Sequence, residues 1–97
     1  MAKGYWVGHV NVTEPDVYKE YVRLNGVAFA KYGAKFLVRG GTSEMRAGEL
    51  KPRHVVIEFA SFAQAKACYD SPEYQAALKV RNRASVADMV LVEGYDS

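Results

Sequence analysis

At 97 residues the chain is long enough for one two-layer core and too short for two, which excludes a two-domain enzyme. A hydrophobic share of 49% and a charged share of 25% are those of a folding globular chain and exclude wholesale disorder. Thirteen Lys and Arg against eleven Asp and Glu leave a net charge of +2, dispersed along the sequence, which is no footprint for nucleic acid or an anionic membrane.

Gly4 to Val12 (GYWVGHVNV) is rich in aromatic and β-branched residues and alternates loosely, which predicts a strand. Thr13-Glu14-Pro15-Asp16 reads as a helix start, with Thr13 as the cap, an acidic residue three positions on, and a proline in the first turn. Val17, Tyr21, Leu24 and Ala28 then recur at helical spacing. Asn25-Gly26 is a hairpin dipeptide, but the apolar stripe runs through it, so the helix is expected to continue to Gly33 at a cost of about 1 kcal/mol for Gly26.

Ala34 to Arg39 and Arg53 to Phe59 predict two further strands. The connection between them, Gly40 to Pro52, is longer than compact domains usually use and suits a lid, a binding loop or a dimer arm. Ser61 with Gln64 forms a capping box for a short helix, and Ser71-Pro72 ends it and starts another, with Tyr74, Ala77, Leu78 and Arg81 on one face. Ala87 to Tyr95 predicts the last strand.

The order β-α-β-β-α-β, with its second helix broken, gives an α+β fold of the ferredoxin-like kind: a four-stranded antiparallel sheet with the helices on one face, as one domain over residues 1–97. Strand parity then sorts the residues. Val55, Ile57 and Phe59 suit the helices, which leaves His54, Val56 and Glu58 on the open face. The same reasoning places Tyr5, Val7 and His9, Leu37 and Arg39, and Met89, Leu91 and Glu93 on that face. A face so mixed is too apolar for water and too polar for a dry core, so a homodimer with sheet facing sheet around a partly polar cavity is expected.

Cys68 is the single cysteine, so no internal disulfide or cysteine-based zinc site is available, and a reducing compartment fits. No apolar run approaches the roughly 18 residues of a membrane span and no secretory leader is evident; the expected location is cytoplasmic, with no membrane partner. The third strand presents His54, Val56 and Glu58 where an RNA-recognition sheet would present aromatics, so no nucleic-acid partner is expected.

Three residues qualify as catalytic candidates. His9, His54 and Glu58 share the open face, and two imidazoles with a carboxylate can run acid–base chemistry at neutral pH. Their structural alternative is a set of satisfied interface side chains, with Arg39 or Arg81 as partner for Glu58. No ligand-spacing motif supports a metal, and no cofactor is called for. Arg39, Arg81 and Arg83 can clamp a carboxylate or phosphate of a small ligand through the guanidinium fork, and Tyr74 can pack its ring on the core while its hydroxyl reaches a polar group. The structural alternative for Arg81 is relief of a helix dipole. Cys68 reads as a buried filler of a helix face rather than a nucleophile.

Tyr32 to Gly41 (YGAKFLVRGG), Arg53 to Phe59 (RHVVIEF), Ser71 to Gln75 (SPEYQ), Arg81 with Ala84-Ser85, and Val92-Glu93-Gly94 occur in an order that resembles the DUF1330 family of small bacterial proteins, across essentially the whole chain. The resemblance implies a dimeric α+β barrel, in a superfamily that also holds antibiotic-biosynthesis monooxygenases, muconolactone isomerases and stress-responsive barrel proteins. It implies no reaction, since the family is defined as of unknown function. Ala47 stands directly before Gly48, where the family tends to carry an acidic residue, so no role for that carboxylate carries over.

Two function classes stay open. The first is a cofactor-independent enzyme, of oxygenase or isomerase type, acting on a small organic molecule. The second is a non-catalytic small-molecule-binding or stress-related module.

Overall fold

In the computed structural model, which describes residues 2–95, the chain runs β1 (Gly4–Val12), α1 (Pro15–Tyr32), β2 (Lys35–Arg39), β3 (Arg53–Phe59), α2 (Phe62–Asp70), α3 (Pro72–Ala84) and β4 (Ser85–Glu93). The four strands pair antiparallel in the order β2-β3-β1-β4, which is the ferredoxin-like topology expected. Two strand starts differ by a residue or two: β2 begins at Lys35 and β4 at Ser85. No helix among the described residues is long and apolar enough to cross a membrane.

The helix starts are made by different chemistry at different ends. Thr13 does not cap α1. Glu14 holds the cap position with no side-chain bond, Pro15 opens the first turn, and the Thr13 and Glu14 amides donate to the Ala84 carbonyl at 2.9 and 3.0 Å, which ties the start of α1 to the end of α3. The two later starts follow the capping rule: Ser61 Oγ accepts from the Gln64 amide and Ser71 Oγ from the Tyr74 amide, each at 3.1 Å. Gln64 does not complete a reciprocal box, because its side chain reaches the Tyr32 carbonyl at 3.3 Å and staples α2 to the end of α1. Gly33, at φ 68°, closes α1 in the left-handed conformation that a side chain would disfavour.

Trp6 is the centre of the core and is fully buried. Phe29, Phe59 and Tyr69 have ring centroids 5.2 Å from it and Tyr74 lies at 4.7 Å, mostly edge to face, and its indole N–H donates to the Ala65 carbonyl at 2.9 Å. Five of the chain's twelve aromatic residues thereby pack together between sheet and helices.

The two faces of the sheet sort differently from the sequence expectation at two strands. Val55, Ile57 and Phe59 face the helices and Tyr5, Val7, His9, His54, Val56 and Glu58 the open side, as parity predicts. In β4 the assignment is inverted. Met89 pairs with Gly8 and Leu91 with Trp6, so both pack on the helix side, while Val86, Asp88, Val90 and Val92 take the open face. The strand is apolar at both parities, so alternation alone could not choose.

In β2 a bulge between Phe36 and Val38 adds one residue and reverses parity beyond it. Val38 therefore turns to the open face opposite Val56, and Arg39, opposite Val55, turns to the helix side. The open face consequently carries a continuous row of valines across all four strands, Val38, Val56, Val7 and Val90, paired rung by rung.

Candidate functional site

The helix side of the sheet holds a small, partly open cavity of about 20 Å³. Tyr18, Tyr21, Val22, Asn25 and Phe29 of α1 form its roof, at the spacing of one helical stripe. The sheet supplies the floor through Val10, Phe36, Val55, Ile57 and Met89. Three arginines, Arg39 of β2, Arg53 of β3 and Arg81 of α3, complete the wall.

Those arginines form a gradient of burial. Arg81 is 7% exposed, Arg53 is half-buried and Arg39 is exposed at the mouth. Arg81 donates through Nη1 to the Tyr74 hydroxyl at 3.0 Å and through Nη2 to the Tyr69 hydroxyl at 3.3 Å, and the Tyr74 and Tyr21 hydroxyls lie 2.9 Å apart. Arg53 lies 5.9 Å from the Tyr18 ring centroid, and its Nη1 occupies the space a Cβ at Gly40 would need, 2.3 Å away. Gly40 is also at φ 68°, in the left-handed region that favours glycine, and the Arg53 guanidinium lies against it. Arg39 stacks on the Phe36 ring at 4.3 Å.

The charge in this wall has no acidic partner among the described residues. Among the described residues none of the three arginines makes an ion pair, and the Nε–H groups of Arg53 and Arg81 are buried without an acceptor. Burial pushes the Tyr74 hydroxyl far above the usual tyrosine range and raises Tyr18 as well, so both stay protonated and neither offsets a positive charge.

The open face is organised in the opposite way, with its polar groups paired to one another. His9 and His54 meet across β1 and β3, Nδ1 to Nδ1, at 2.8 Å. Glu58 accepts from the Tyr5 hydroxyl at 3.3 Å and lies 3.7 Å from Lys3 Nζ, and Asp88 pairs with Lys51.

The sequence candidates thus fall into separate groups. His9 and His54 touch, but Glu58 is four residues from His54 along the strand, roughly 13 Å. Its partners are Tyr5 and Lys3, not Arg39 or Arg81, because both arginines lie on the other side of the sheet. Arg39 and Arg81 come together at the cavity, with Tyr74 behind Arg81. Among the described residues no three His, Cys, Asp or Glu side chains converge on a point where a metal ion would sit. Cys68 is fully buried, and burial pushes its thiol up to about 12, which leaves it unreactive near neutrality.

A family model described as a domain of unknown function, DUF1330, matches residues 3–95. The chain belongs to the DUF1330 family. A search among curated proteins finds no match. Among solved structures, the DUF1330 chain is similar to the RPA0582 protein of unknown function from Rhodopseudomonas palustris, at 20% identity and a TM-score of 0.73, over 99% of this chain and 85% of that one. It is similar in fold to SnoaB, a cofactor-independent oxygenase from Streptomyces nogalater, at 12% identity and a TM-score of 0.62, over 100% and 97% of the two chains. A dimeric ferredoxin-like protein of unknown function from Thermobifida fusca matches at 18% identity and a TM-score of 0.55, over 95% and 89%.

Four residues of the DUF1330 cavity escaped the sequence reading: Arg53, Tyr18, Tyr21 and Asn25. Arg53 carried a usable signal, since it shares parity with Val55, Ile57 and Phe59 and so had to face the helices. Asn25 carried one too: it lies four residues from both Tyr21 and Phe29, and a buried polar residue in such a stripe calls for a polar neighbour.

Proposed function

We propose that the protein is a homodimeric small-molecule-binding protein whose cavity takes an organic anion. The observation that carries the reading is Arg81: a guanidinium inside the fold, with an Nε–H that has no acceptor and no carboxylate beside it among the described residues. An unpaired buried charge is disfavoured by several kcal/mol, and a native fold retains one where a bound group completes it. The hydroxyls extend the binding surface. The Tyr74 oxygen accepts from Arg81 and lies 2.9 Å from the Tyr21 oxygen, where either hydroxyl can donate.

The dimer reading is supported by the valine row on the open face, where Val38 is 41% and Val90 54% exposed, and by dimeric proteins among the fold neighbours. A second copy covers that face, forms the barrel, and leaves the cavities on the outer, helix side of each sheet. The free Cys68 fits a reducing, cytoplasmic setting.

A second reading, a cofactor-independent enzyme of oxygenase or isomerase type acting in the same cavity, draws on the fold shared with SnoaB. Against it stands the cavity lining, which includes no carboxylate or imidazole to take a proton from a substrate.

Binding is tested by thermal denaturation with small carboxylic acids and with their amides. The acids raise the melting temperature in a concentration-dependent way, the amides do not, and Arg81→Met abolishes the effect. Equal stabilisation by acid and amide, or by neither, would overturn the reading.

A further inference from the structure

We infer that the His9–His54 pair makes the association of two copies pH-dependent, holding the dimer at neutral pH and releasing it on acidification. The inference rests on the homodimer reading and adds its regulation. The two Nδ1 atoms lie 2.8 Å apart, with the rings edge to face and their centroids 5.1 Å apart. Ring nitrogens at that distance are held by one proton between them: one Nδ1 donates and the other, bare, accepts. Two bare nitrogens have no proton to share, and two protonated ones point N–H at N–H. The contact therefore exists only while at least one imidazole is neutral, and imidazole is the side chain that charges between about pH 5 and 8.

Position gives the pair its leverage. His9 faces His54 across the β1–β3 ladder, two residues along the same face from Val7 and Val56 of the valine row, roughly 7 Å. A second sheet laid on that row covers the histidines as well. In the free protomer both rings are only half-buried, so a second proton is met by water and by rotation of one ring away from the other. Under a second copy neither relief is present, and two like charges in contact and out of water are strongly disfavoured. The monomer thus takes up more protons than the dimer, and by linkage acid favours the monomer.

The groups around the pair do not reverse that sign. From β4, Asp88 stands opposite His9 and favours its charge, but this carboxylate already pairs with Lys51, in the loop before β3. From β2, the neighbour of the His54 backbone is Gly40, which has no side chain. Arg53 precedes His54 but faces the cavity on the helix side, and the flanking open-face positions Val7, Asn11 and Val56 carry no charge. A second copy brings the same face, on which Asp88 has Lys51 and Glu58 has Lys3.

The experiment is sedimentation equilibrium of the full-length protein over a dilution series that brackets the dissociation constant, from about pH 7.5 to about 5.5 at constant ionic strength. Circular dichroism confirms the fold at each pH. The dimer dissociation constant is expected to rise about tenfold or more across the range, and the double variant His9→Asn/His54→Asn to flatten that dependence. The single variant His54→Gln, which keeps a hydrogen-bonding neighbour for His9, is expected to flatten it too and serves if the double variant does not assemble. A side-chain ¹H–¹⁵N spectrum of the histidines at neutral pH checks the pair apart from assembly, with one Nδ1 expected protonated and the other bare. A dissociation constant that stays level with pH overturns the inference and leaves the dimer intact, as does a dependence that survives in the variants. Two bare Nδ1 atoms overturn it as well. A monomer at every pH overturns the homodimer reading itself, and the inference with it.

Discussion

The two faces of the sheet hold similar kinds of side chain and treat them in opposite ways. On the open face every polar group discussed has a partner on a neighbouring strand or chain segment: His9 with His54, Glu58 with Tyr5 and Lys3, Asp88 with Lys51. On the helix face Arg81 is buried and Arg53 half-buried, and among the described residues neither Nε–H has an acceptor. Locally satisfied groups are what an interface requires, whereas unsatisfied ones are retained at a cost in stability and mark where a ligand belongs. The more conspicuous residues, two histidines and a glutamate, thus sit on the face proposed for assembly.

The contrast can be broken most severely at the aromatic centre that both faces depend on. Trp6→Ala is expected to lower stability by about 3–5 kcal/mol in urea denaturation, since it empties the point where Phe29, Phe59, Tyr69 and Tyr74 meet. On the open face, Val56→Asp places a carboxylate in the middle of the valine row and is expected to leave a folded monomer by light scattering. A dimer unaffected by that charge would remove the assembly role of this face. On the helix face, Arg81→Met is expected to raise stability by about 1 kcal/mol while abolishing carboxylate binding, the signature of a residue kept for function. A fall of several kcal/mol would instead make Arg81 structural.

Alkaline pH provides a weaker test of the packed side. The Cys68 thiol titrates near 9 when exposed and near 12 in the fold, because burial disfavours the thiolate. The native state therefore binds more protons than the unfolded one between those values, and stability falls as pH rises from about 9 towards 12. Cys68→Ala is expected to flatten that part of the pH profile. The smallest effect is expected on the open face: Glu58→Gln changes stability by no more than about 1 kcal/mol, because its partners are a half-exposed tyrosine hydroxyl and a solvated lysine.

The fold was legible because its signals are local. Ser61 and Ser71 announce their helices through side-chain caps, Pro72 fixes the break between α2 and α3, and the Val55-Ile57-Phe59 parity orients β3. The site was legible only in part. Arg39 was assigned to the wrong face because the bulge beside Leu37 inserts a residue that no alternation pattern reveals. The two sides of β4 are both apolar, so its orientation is set by the fit of Met89 over Gly8 and Leu91 against Trp6, a tertiary choice. Arg81 and Tyr74 were readable as ligand candidates from residue type, but that no described carboxylate pairs with Arg81 is a property of three dimensions.

The central claim is that the arginine wall of the cavity binds an organic anion. A side-chain ¹H–¹⁵N correlation spectrum reports the arginine Nε–H groups directly, with Arg53 and Arg81 assigned by Arg53→Lys and Arg81→Lys. On titration with butanoate, the account predicts that the Arg53 and Arg81 Nε–H resonances shift and become protected from exchange, while the backbone amides of His9, His54 and Glu58 stay in place. Unmoved arginine resonances, or shifts confined to the open face, would contradict it.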